Sequence, residues 1–276
     1  MSTHSTWMIT GVSRGLGREL AEALLDDGAT VVGTTRSGRA DFAHDRLHVL
    51  GLDVTDPDQP AAAVARAIEL TGGLDVVVNC AGSGLLGAIE ATSEREALDT
   101  LETNLLGPWR VIAAAAGHLR GRGRGTIVNV SSIAGLAPLG GSGIYAAAKS
   151  GLSALSEALA VELHPFGVGV MSVEPGSLRT DFFSDASIQL TAGQPDAYAE
   201  TIGAVVSMMT GRSGAEMGDP RKVARLIIDA VSNDDPPRHL VVGADAIERT
   251  RVNVAALLDD VDRWERRSAA TAFEPA

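Results

Sequence analysis

The chain has 276 residues, of which 45% are hydrophobic and 21% charged, so it is long and apolar enough to bury a full core. Its formal net charge of −12 disfavours non-specific binding to nucleic acid or to an anionic membrane surface. A single cysteine, Cys80, excludes an internal disulfide and a metal site built on several cysteines, and we expect no metal. The amino-terminal segment lacks the features of a signal peptide, and no apolar run approaches the ~18 residues of a membrane helix, so we expect a cytoplasmic protein.

Short apolar runs alternate with longer helical patterns along the chain. In chain order, the pattern predicts strands at 7–10, 30–35, 47–54, 74–82, 125–132, 168–176 and 238–243. It predicts helices at 17–28, 59–72, 93–119, 145–167, 219–233 and 245–267. The strands are continuous apolar runs, which is typical of strands covered on both faces. We therefore predict an α/β chain with a doubly wound Rossmann fold: a seven-stranded parallel sheet, helices on both faces and an extra C-terminal helix.

No feature divides the chain, so we expect one domain over residues 1–276. Residues 184–218 interrupt the alternation with small, polar, Gly- and Pro-dotted sequence, and a long interruption of this kind is usually functional. We interpret it as a lid over a substrate, and we expect residues 268–276 to be a frayed tail.

Apolar side chains flank the predicted lid and the segment after the fifth strand. They are Leu136, Leu139, Phe182, Phe183, Met208 and Met209. These residues favour an apolar substrate, although the same side chains would also serve to pack the lid onto the body.

A glycine-rich turn, TGVSRGLG over residues 10–17, follows the first predicted strand and opens the first helix. Glycines let a chain turn tightly and let a pyrophosphate approach the backbone at a helix N-terminus. The same residues contain Gly-Val-Ser-Arg-Gly, the G-x-S-x-G pattern in which Ser13 would be the nucleophile of a serine hydrolase. That alternative lacks an earlier strand to supply an oxyanion hole, and His239 is its only late histidine.

The second predicted strand ends in Thr34-Thr35-Arg36, where a dinucleotide site usually has an acidic residue for the ribose 2′-OH. A guanidinium instead favours a 2′-phosphate, which it binds through two hydrogen bonds. Arg14, inside the glycine turn, is placed to reach the same phosphate. Arg14 and Arg36 therefore favour NADP(H) over NAD(H), unless both are ordinary solvated surface arginines.

The order of these motifs resembles the short-chain dehydrogenase/reductase family, in its compact single-domain branch. The motifs are TGVSRGLG (10–17), Asp53-Val54, NCAG (79–82), Asn104, Ser131-Ser132, YAAAK (145–149) and PGSLRT (175–180). One departure is Cys80, which stands where the family more often has a second Asn. The resemblance implies a nicotinamide-dependent oxidoreductase that acts on a carbonyl or an alcohol, and a homodimer or homotetramer unless the C-terminal helix blocks an interface.

The resemblance also implies which residues bind the cofactor. In an open α/β sheet, ligands bind beyond the carboxyl ends of the strands, where these motifs lie. The expected cofactor-binding residues are Gly11, Ser13, Arg14, Gly15, Leu16, Gly17, Arg36, Asp53, Val54, Asn79, Ala81, Gly82, Tyr145, Lys149, Pro175, Gly176 and Thr180. By resemblance, Asp53 holds the adenine amino group. The same residue would also serve as a turn cap, because DVTDP has the composition of a turn.

Tyr145 and Lys149 stand four residues apart on one helix face. A nearby ammonium favours a phenolate, so we expect Lys149 to lower the pKa of Tyr145 from its usual value near 10. Ser132 would donate to the substrate oxygen while Tyr145 exchanges its proton, and the adjacent Ser131 faces the other way in the strand. By resemblance, Asn104 anchors a water that relays protons to Lys149; otherwise it is a polar residue on a helix surface. A non-catalytic NADP-binding regulator on the same fold is the remaining alternative.

Overall fold

A parallel sheet forms the centre of the protein in a computed structural model that describes residues 5–184, 187–211 and 216–273. Within these ranges, seven strands pair in the order β3-β2-β1-β4-β6-β7-β9, and two more form a small separate sheet. The strands are β1 (Thr6–Thr10), β2 (Thr30–Thr35), β3 (Leu47–Gly51), β4 (Val76–Asn79), β5 (Gly84–Leu86), β6 (Gly125–Val130), β7 (Val168–Pro175), β8 (Ile188–Leu190) and β9 (His239–Val242). The sheet order confirms the predicted doubly wound Rossmann fold.

Helices cover both faces of this sheet. They are α1 (Gly15–Asp26), α2 (Gln59–Thr71), α3 (Glu94–Leu101), α4 (Gly107–Arg122), α5 (Gly143–Leu163), α6 (Ala204–Thr210), α7 (Pro220–Val231) and α8 (Ala244–Ala269). Helices α1 and α7 build the apolar core on one face, whereas α2, α4 and α5 build it on the other. The inner strands β1, β2, β4 and β7 are almost wholly buried, which explains why their sequences are continuous apolar runs, whereas the edge strands β3 and β9 are only partly buried.

The crevice of the sheet lies between β1 and β4. The chain runs outward from β1 to β2 and β3, then returns to β4 and continues in the opposite direction. Loops diverge at such a switch point, and this is where an open α/β sheet binds its ligand.

The predicted helix at 93–119 proves to be three helical pieces. A π-helical turn, Glu102–Leu106, joins α3 to α4, and it contains Asn104. π-Turns have one extra residue in the hydrogen-bonded ring and are frequent at functional sites. Periodicity does not reveal this turn, because all three pieces continue the same helical direction.

The predicted lid, 184–218, is more regular than its composition indicates. It contains β8, α6 and short 3₁₀ and π turns, and β8 pairs in parallel with β5 outside the main sheet. Parts of this prediction, residues 185–186 and 212–215, lie outside the described residues, as do 274–276 of the predicted tail. Strands of three residues are too short to produce a recognisable pattern, so the sequence did not indicate the small sheet.

Helix α8 confirms the predicted C-terminal helix, but most of it stands away from the body. Of its residues, Ala246 alone is buried, while apolar side chains such as Leu257 and Trp264 are more than half exposed. Its first turns pack on the segment that follows β6, through Ile133 and Ala137. Among the described residues, no helix has the length and apolarity needed to cross a lipid bilayer.

Candidate active site

A cavity of about 930 Å³ opens at the carboxyl ends of the strands. It is lined by most of the residues that the sequence predicted for cofactor binding and catalysis: Gly11, Ser13, Arg14, Gly15, Leu16, Gly17, Arg36, Asp53, Val54, Ala81, Gly82, Ser132, Tyr145, Lys149, Pro175, Gly176 and Thr180. Asn79 and Asn104 are the two predicted residues that do not line it. The cavity size and the position at the switch point fit an extended ligand such as a dinucleotide.

The glycine turn between β1 and α1 is shaped by close backbone contacts. Gly11 and Gly15 adopt φ values of +79° and +59°, which side chains with a Cβ rarely tolerate. A Cβ on Gly17 would lie 2.3 Å from the carbonyl oxygen of Gly11. The turn thus delivers the N-terminus of α1 to the cavity, where free N–H groups and the helix dipole suit a pyrophosphate. This cradle fits a dinucleotide cofactor.

Two arginines face the part of the cavity nearest to β2. Arg36 directly follows β2 and is exposed, and Arg14 precedes α1. The loop after Arg36 is tied back to the strand, because the Thr35 hydroxyl donates to the carbonyl of Arg39 at 2.9 Å. Both arginines line the cavity, and the backbones that carry them are linked, because the N–H groups of Gly11 and Val12 donate to the carbonyl of Thr34.

Asp53 is a turn cap, as one of its two sequence interpretations predicts, and its contact with an adenine stays a prediction. Its carboxylate accepts hydrogen bonds from the backbone N–H and the hydroxyl of Thr55, at 3.0 and 2.7 Å, which makes it a turn cap. Asp53 and Val54 also line the cavity. The turn therefore holds the carboxylate in place at the cavity wall.

Asn79 lies behind the cavity wall. Its side-chain NH₂ group donates to the side-chain oxygen of Asn129 at 2.9 Å, which joins the ends of β4 and β6. The side-chain oxygen of Asn79, Oδ1, is buried and has no hydrogen-bond partner in the described part of the chain. The following loop is fixed by Thr10, whose hydroxyl accepts from the N–H groups of Cys80 and Ala81 at 3.0 and 3.1 Å. Asn79 thus contacts the neighbouring strand, and Ala81 reaches the cavity.

Asn104 is completely buried, so the interpretation as a surface residue is wrong. Its amide donates to the carbonyls of Thr100 and Ser83 at 2.9 and 3.0 Å, and its oxygen accepts from the N–H of Ser83 at 3.3 Å. A Cβ on Gly82 would lie 2.9 Å from that oxygen. Asn104 therefore holds the 82–83 loop from behind, and the water relay stays a prediction.

Ser132 and Tyr145 form a hydrogen-bonded pair inside the cavity. The Ser132 hydroxyl also accepts from the N–H of Ala134 at 3.1 Å, which fixes its direction. Burial raises the pKa of Tyr145 to about 12, although the hydrogen bond from Ser132 opposes this rise. The tyrosine hydroxyl is therefore protonated at neutral pH.

Lys149 is buried on the same face of α5 as Tyr145. Its ammonium group donates to the carbonyl of Val130 at 2.9 Å and lies 5.9 Å from the centre of the Tyr145 ring. Burial lowers the pKa of Lys149 to about 8. The expectation that Lys149 lowers the pKa of Tyr145 is wrong for this structure, because the ammonium points to Val130 and burial disfavours the phenolate.

Ser131 faces away from Ser132, as the alternation of a strand predicts. Its hydroxyl donates to the carbonyl of Lys149 at 2.9 Å and accepts from Ser153 at 2.9 Å. Ser153 has a single hydroxyl proton, which it shares between Ser131 and, more weakly at 3.3 Å, the fully buried carboxylate of Glu174. A chain of buried hydrogen bonds thus supports the helix turn that carries Lys149.

His239 forms the outer end of this chain. Its two ring nitrogens contact Glu174 at 2.9 Å and Glu157 at 3.0 Å. The histidine lies on β9, four strands from β1 in the sheet, which is ~19 Å at the usual strand spacing. His239 is therefore not placed to serve Ser13, so the hydrolase alternative lacks its base.

Only some of the predicted apolar residues reach the cavity. Leu139, Phe182 and Met209 line it, whereas Met208 is exposed outside it, and Leu136 packs against the buried Ile133–Ala246 cluster. The Phe182 ring also lies 6.0 Å from the Tyr145 ring. The side chain of Phe183 lies outside the described part of the structure.

Two residues of α8 reach the site although the sequence did not single them out. Asp245 accepts from the N–H of Ser177 at 3.0 Å, and a Cβ on Gly176 would lie 2.3 Å from its carboxylate. Arg249 lines the cavity one helical turn later. Their spacing of four residues places both on one helix face, but the sequence alone does not show where that face packs.

Known proteins are similar to this chain over nearly its whole length. The family model described as short chain dehydrogenase matches residues 5–190. "Oxidoreductase BOA17" of Botryotinia fuckeliana is 34% identical over 272 residues, which cover 96% of this chain and 98% of the relative. "3-Ketodihydrosphingosine reductase" of Bacteroides thetaiotaomicron is 34% identical and covers 86% of this chain and 87% of its own length. A crystal structure of a short-chain dehydrogenase from Streptomyces avermitilis superposes with a TM-score of 0.92 at 36% identity, over 99% of this chain and 100% of that one.

Proposed function

The chain belongs to the short-chain dehydrogenase family of oxidoreductases, and from that premise we propose that it is an NADP(H)-dependent reductase of ketones or aldehydes. The observation that carries the proposal is the hydrogen-bonded pair of Ser132 and the buried Tyr145, next to the buried Lys149, at the wall of a cavity of about 930 Å³. The reverse reaction, oxidation of a secondary alcohol, uses the same groups.

Ser132 and Tyr145 act on the substrate oxygen. The cofactor, when bound, supplies the hydride that reaches the carbonyl carbon. The Ser132 hydroxyl donates to the carbonyl oxygen, where negative charge develops, and Tyr145 donates its proton to that oxygen as general acid. Burial keeps the Tyr145 hydroxyl protonated at neutral pH, which is the form that a general acid needs in reduction.

Lys149 and Asn104 support this step without touching the substrate carbon. Lys149 supplies a positive charge and hydrogen-bond donors next to Tyr145, and it would hold a ribose hydroxyl of the cofactor. Asn104 holds the 82–83 loop, and we propose that a water on its side chain connects Lys149 to solvent.

The arginines next to β2 support NADP(H) as the cofactor. Arg14 and Arg36 both line the cavity, and Thr34-Thr35-Arg36 has no carboxylate that would repel a 2′-phosphate. An NAD(H)-dependent enzyme would be expected to have an acidic side chain at this position, because a carboxylate accepts a hydrogen bond from the ribose 2′-OH. The glycine turn, Asp53-Val54, Ala81-Gly82 and Pro175-Gly176 would hold the remainder of the dinucleotide.

The cavity walls support an apolar substrate. Leu139, Phe182 and Met209 line the part of the cavity beyond Tyr145. A relative named 3-ketodihydrosphingosine reductase, 34% identical to this chain, is consistent with reduction of a ketone. We further propose a single catalytic domain over residues 1–276, covered by the 184–218 segment, working as a cytoplasmic homodimer or homotetramer.

The alternative functions predict different outcomes. A non-catalytic NADP-binding regulator has no need of Ser132 and of the buried Tyr145 and Lys149, all of which this chain has. A serine hydrolase would react with a serine-directed phosphonate at Ser13, and we expect no such labelling.

A screen of NADPH oxidation across ketones, aldehydes and quinones tests the proposal. Tyr145→Phe should lower kcat by about 100- to 10,000-fold and leave the Kd for NADPH within about threefold, since it removes only the acid. Tyr198→Phe is the matched control, because Tyr198 lies outside the cavity lining, and it should keep wild-type turnover. Full turnover by Tyr145→Phe would contradict the proposal.

A further inference from the structure

Arg249 carries a positive charge into the substrate end of the cavity. Arg249 lies on α8. Among the described cavity-lining residues that follow β7 in the chain, no other residue carries a positive charge. The cations expected to bind a 2′-phosphate, Arg14 and Arg36, lie near β2, and β2 and β9 are five strands apart in the sheet, ~24 Å. The guanidinium of Arg249 is therefore placed for the substrate rather than for the adenosine phosphate.

The packing of α8 fixes where this side chain lies. Ala246 is fully buried against Ile133 and Ala137, so the first turn of α8 is held against the segment that follows Ser132. Arg249 stands one turn further along the same face and donates one hydrogen bond to the carbonyl of Ala137. This hydrogen bond holds the side chain of Arg249 beside the segment that follows Ser132.

The guanidinium is only partly satisfied by the protein. It has five N–H donors, and the hydrogen bonds of the described residues use one of them, toward Ala137. No carboxylate oxygen of a described residue lies within 4.0 Å of it, although Asp245 is near enough to act on it electrostatically. Asp245 is itself engaged by the N–H of Ser177.

Partial burial makes this unpaired charge important for binding. Burial lowers the pKa of Arg249, although the negative charge of Asp245 acts to raise it. The guanidinium has therefore lost part of its hydration. A guanidinium in such a place gains from a planar or tetrahedral oxyanion that accepts two hydrogen bonds. The net charge of the chain, −12, repels anions in general, so a substrate anion needs a local cation.

We propose that the substrate is a carbonyl compound with an apolar middle and an anionic end, a carboxylate or a phosphate, and that Arg249 binds this anion. The inference rests on the proposed function and adds the substrate class to it. Leu139 and Met209 would contact the apolar middle, while Ser132 and Tyr145 act on the carbonyl at the other end.

Matched substrates test this inference. Keto acids of increasing chain length are compared with their methyl esters and with keto phosphates of the same length, in NADPH-oxidation assays. At the best length, wild-type kcat/KM should favour one anion over the ester by about 10- to 100-fold, mainly through KM, since charge-assisted hydrogen bonds have that strength. Whether the acid or the phosphate gains more identifies the anion.

Variants separate recognition of charge from support of the fold. Arg249→Gln should abolish the preference for the anion and change kcat/KM for the ester by less than about threefold. Asn253→Ala removes another tie of α8, its 2.8 Å hydrogen bond to the carbonyl of Leu136, without removing a charge, and should keep the preference. Arg251→Gln, an exposed arginine outside the cavity lining, should also keep it.

Two results overturn the inference. One is that Arg249→Gln lowers kcat/KM equally for the keto acid and for its ester. The other is that the wild-type protein shows no preference for an anionic substrate. If no carbonyl compound at all oxidises NADPH, the proposed reaction fails instead. Calorimetric titration of a saturated carboxylic acid into the NADP-loaded protein still decides the inference then, because tighter binding by wild type than by Arg249→Gln supports it and equal binding refutes it.

Discussion

The nucleotide region, residues 5–82, and the outer region, residues 177–184, 187–211, 216–218 and α8, both contribute residues to the cavity lining but are held in place differently. In the nucleotide region, Trp7, Met8 and Ile9 of the central strand are fully buried, and glycines bring backbone segments into close contact. In the outer region, α6 has no buried residue and α8 buries only Ala246 among the residues described. The first region is fixed by packing and steric fit, and the second by separate hydrogen bonds.

This difference separates a region whose shape is fixed by close packing from a region whose side chains can change without disturbing that packing. A cofactor common to many enzymes needs a rigid cradle, which close packing provides. The outer region instead ties α8 to the body through Arg249 and Asn253, whose side chains donate to backbone carbonyls. Such contacts depend on few residues, so substrate preference can change there without disturbing the cradle.

Gly17→Ala should give the largest effect, because it breaks the close contact in the nucleotide region. The new Cβ would lie 2.3 Å from the Gly11 carbonyl oxygen, so the turn or α1 must move, at a cost of about 1–3 kcal/mol, and the Kd for NADPH should rise by up to about 100-fold. Fluorescence titration with NADPH measures this. Gly121→Ala, in α4 with no atom within 4 Å of its Cβ position, is the control and should leave the Kd unchanged. Equal effects of both variants would contradict the steric argument.

Arg36→Ala removes a charge from the same region without disturbing its packing. The ratio of kcat/KM for NADPH to that for NADH should fall by about tenfold, because an exposed guanidinium contributes a modest charge-assisted hydrogen bond. Arg39→Ala, an exposed arginine of the same loop outside the cavity lining, should leave the ratio unchanged. An unaltered ratio in Arg36→Ala would assign the 2′-phosphate to other residues.

His239→Gln probes the buried polar chain that connects β9 to α5. Burial alone would lower the pKa of His239, but the hydrogen bonds and charges of Glu174 and Glu157 outweigh it, so the pKa is raised. Because the pKa of His239 is raised in the folded state, its protonated form stabilises the fold. This stabilisation is complete at pH values below the unfolded pKa, near 6.5, and is lost as the pH rises through the folded pKa. The variant should therefore cost about 1.5–3 kcal/mol at pH 6 and less at pH 9.

Denaturant unfolding at both pH values measures the effect of His239→Gln. His164→Gln, an exposed histidine outside this chain of hydrogen bonds, is the control and should show no comparable cost at either pH. A cost that stays the same or grows with pH would show that the charge of His239 is not what stabilises the fold.

Leu257→Ala should give the smallest effect, and it tests how independent the outer region is. Leu257 is 61% exposed on α8, so the free energy of unfolding should change by less than about 0.5 kcal/mol. Leu20→Ala, at a fully buried position of α1, should cost about 2–5 kcal/mol. A cost above about 1 kcal/mol at Leu257 would show that another surface, such as a second copy of the chain, covers α8 in solution.

The sequence predicted the sheet and the helices because those features leave local patterns, whereas most of the cavity lining was predicted from the resemblance to short-chain dehydrogenases. Continuous apolar runs indicated the buried strands, and glycine spacing indicated the turn before α1. Tyr145 and Lys149 were recognisable because four residues on a helix place two side chains on one face. These inferences need only nearest neighbours along the chain.

What the sequence did not predict depends on contacts between distant segments. Nothing local shows that Arg249 reaches Ala137, 112 residues earlier, or that burial raises the pKa of Tyr145. The ammonium of Lys149 contacts Val130 because β6 ends beside α5, which is a fact of tertiary packing. Asn104 looked like a helix surface residue because the π-helical turn that buries it has no distinct pattern.

The short ladder between β5 and β8 leaves the outer region free to diverge in sequence while it keeps one attachment point. Backbone groups alone form the bonds at its two ends, from Gly84 to Ser187 at 2.8 Å and from Thr191 to Leu86 at 2.9 Å, so exchange of most side chains there leaves them intact. Gly84 and Gly87 are exceptions, because a Cβ on Gly84 would lie 2.9 Å from Ile188 Cγ1 and a Cβ on Gly87, where φ is +153°, would meet the Thr191 hydroxyl at 2.2 Å. A chimaera that transplants residues 188–211 from a relative should therefore keep the backbone bonds of the ladder, because both glycines stay in the receiving chain.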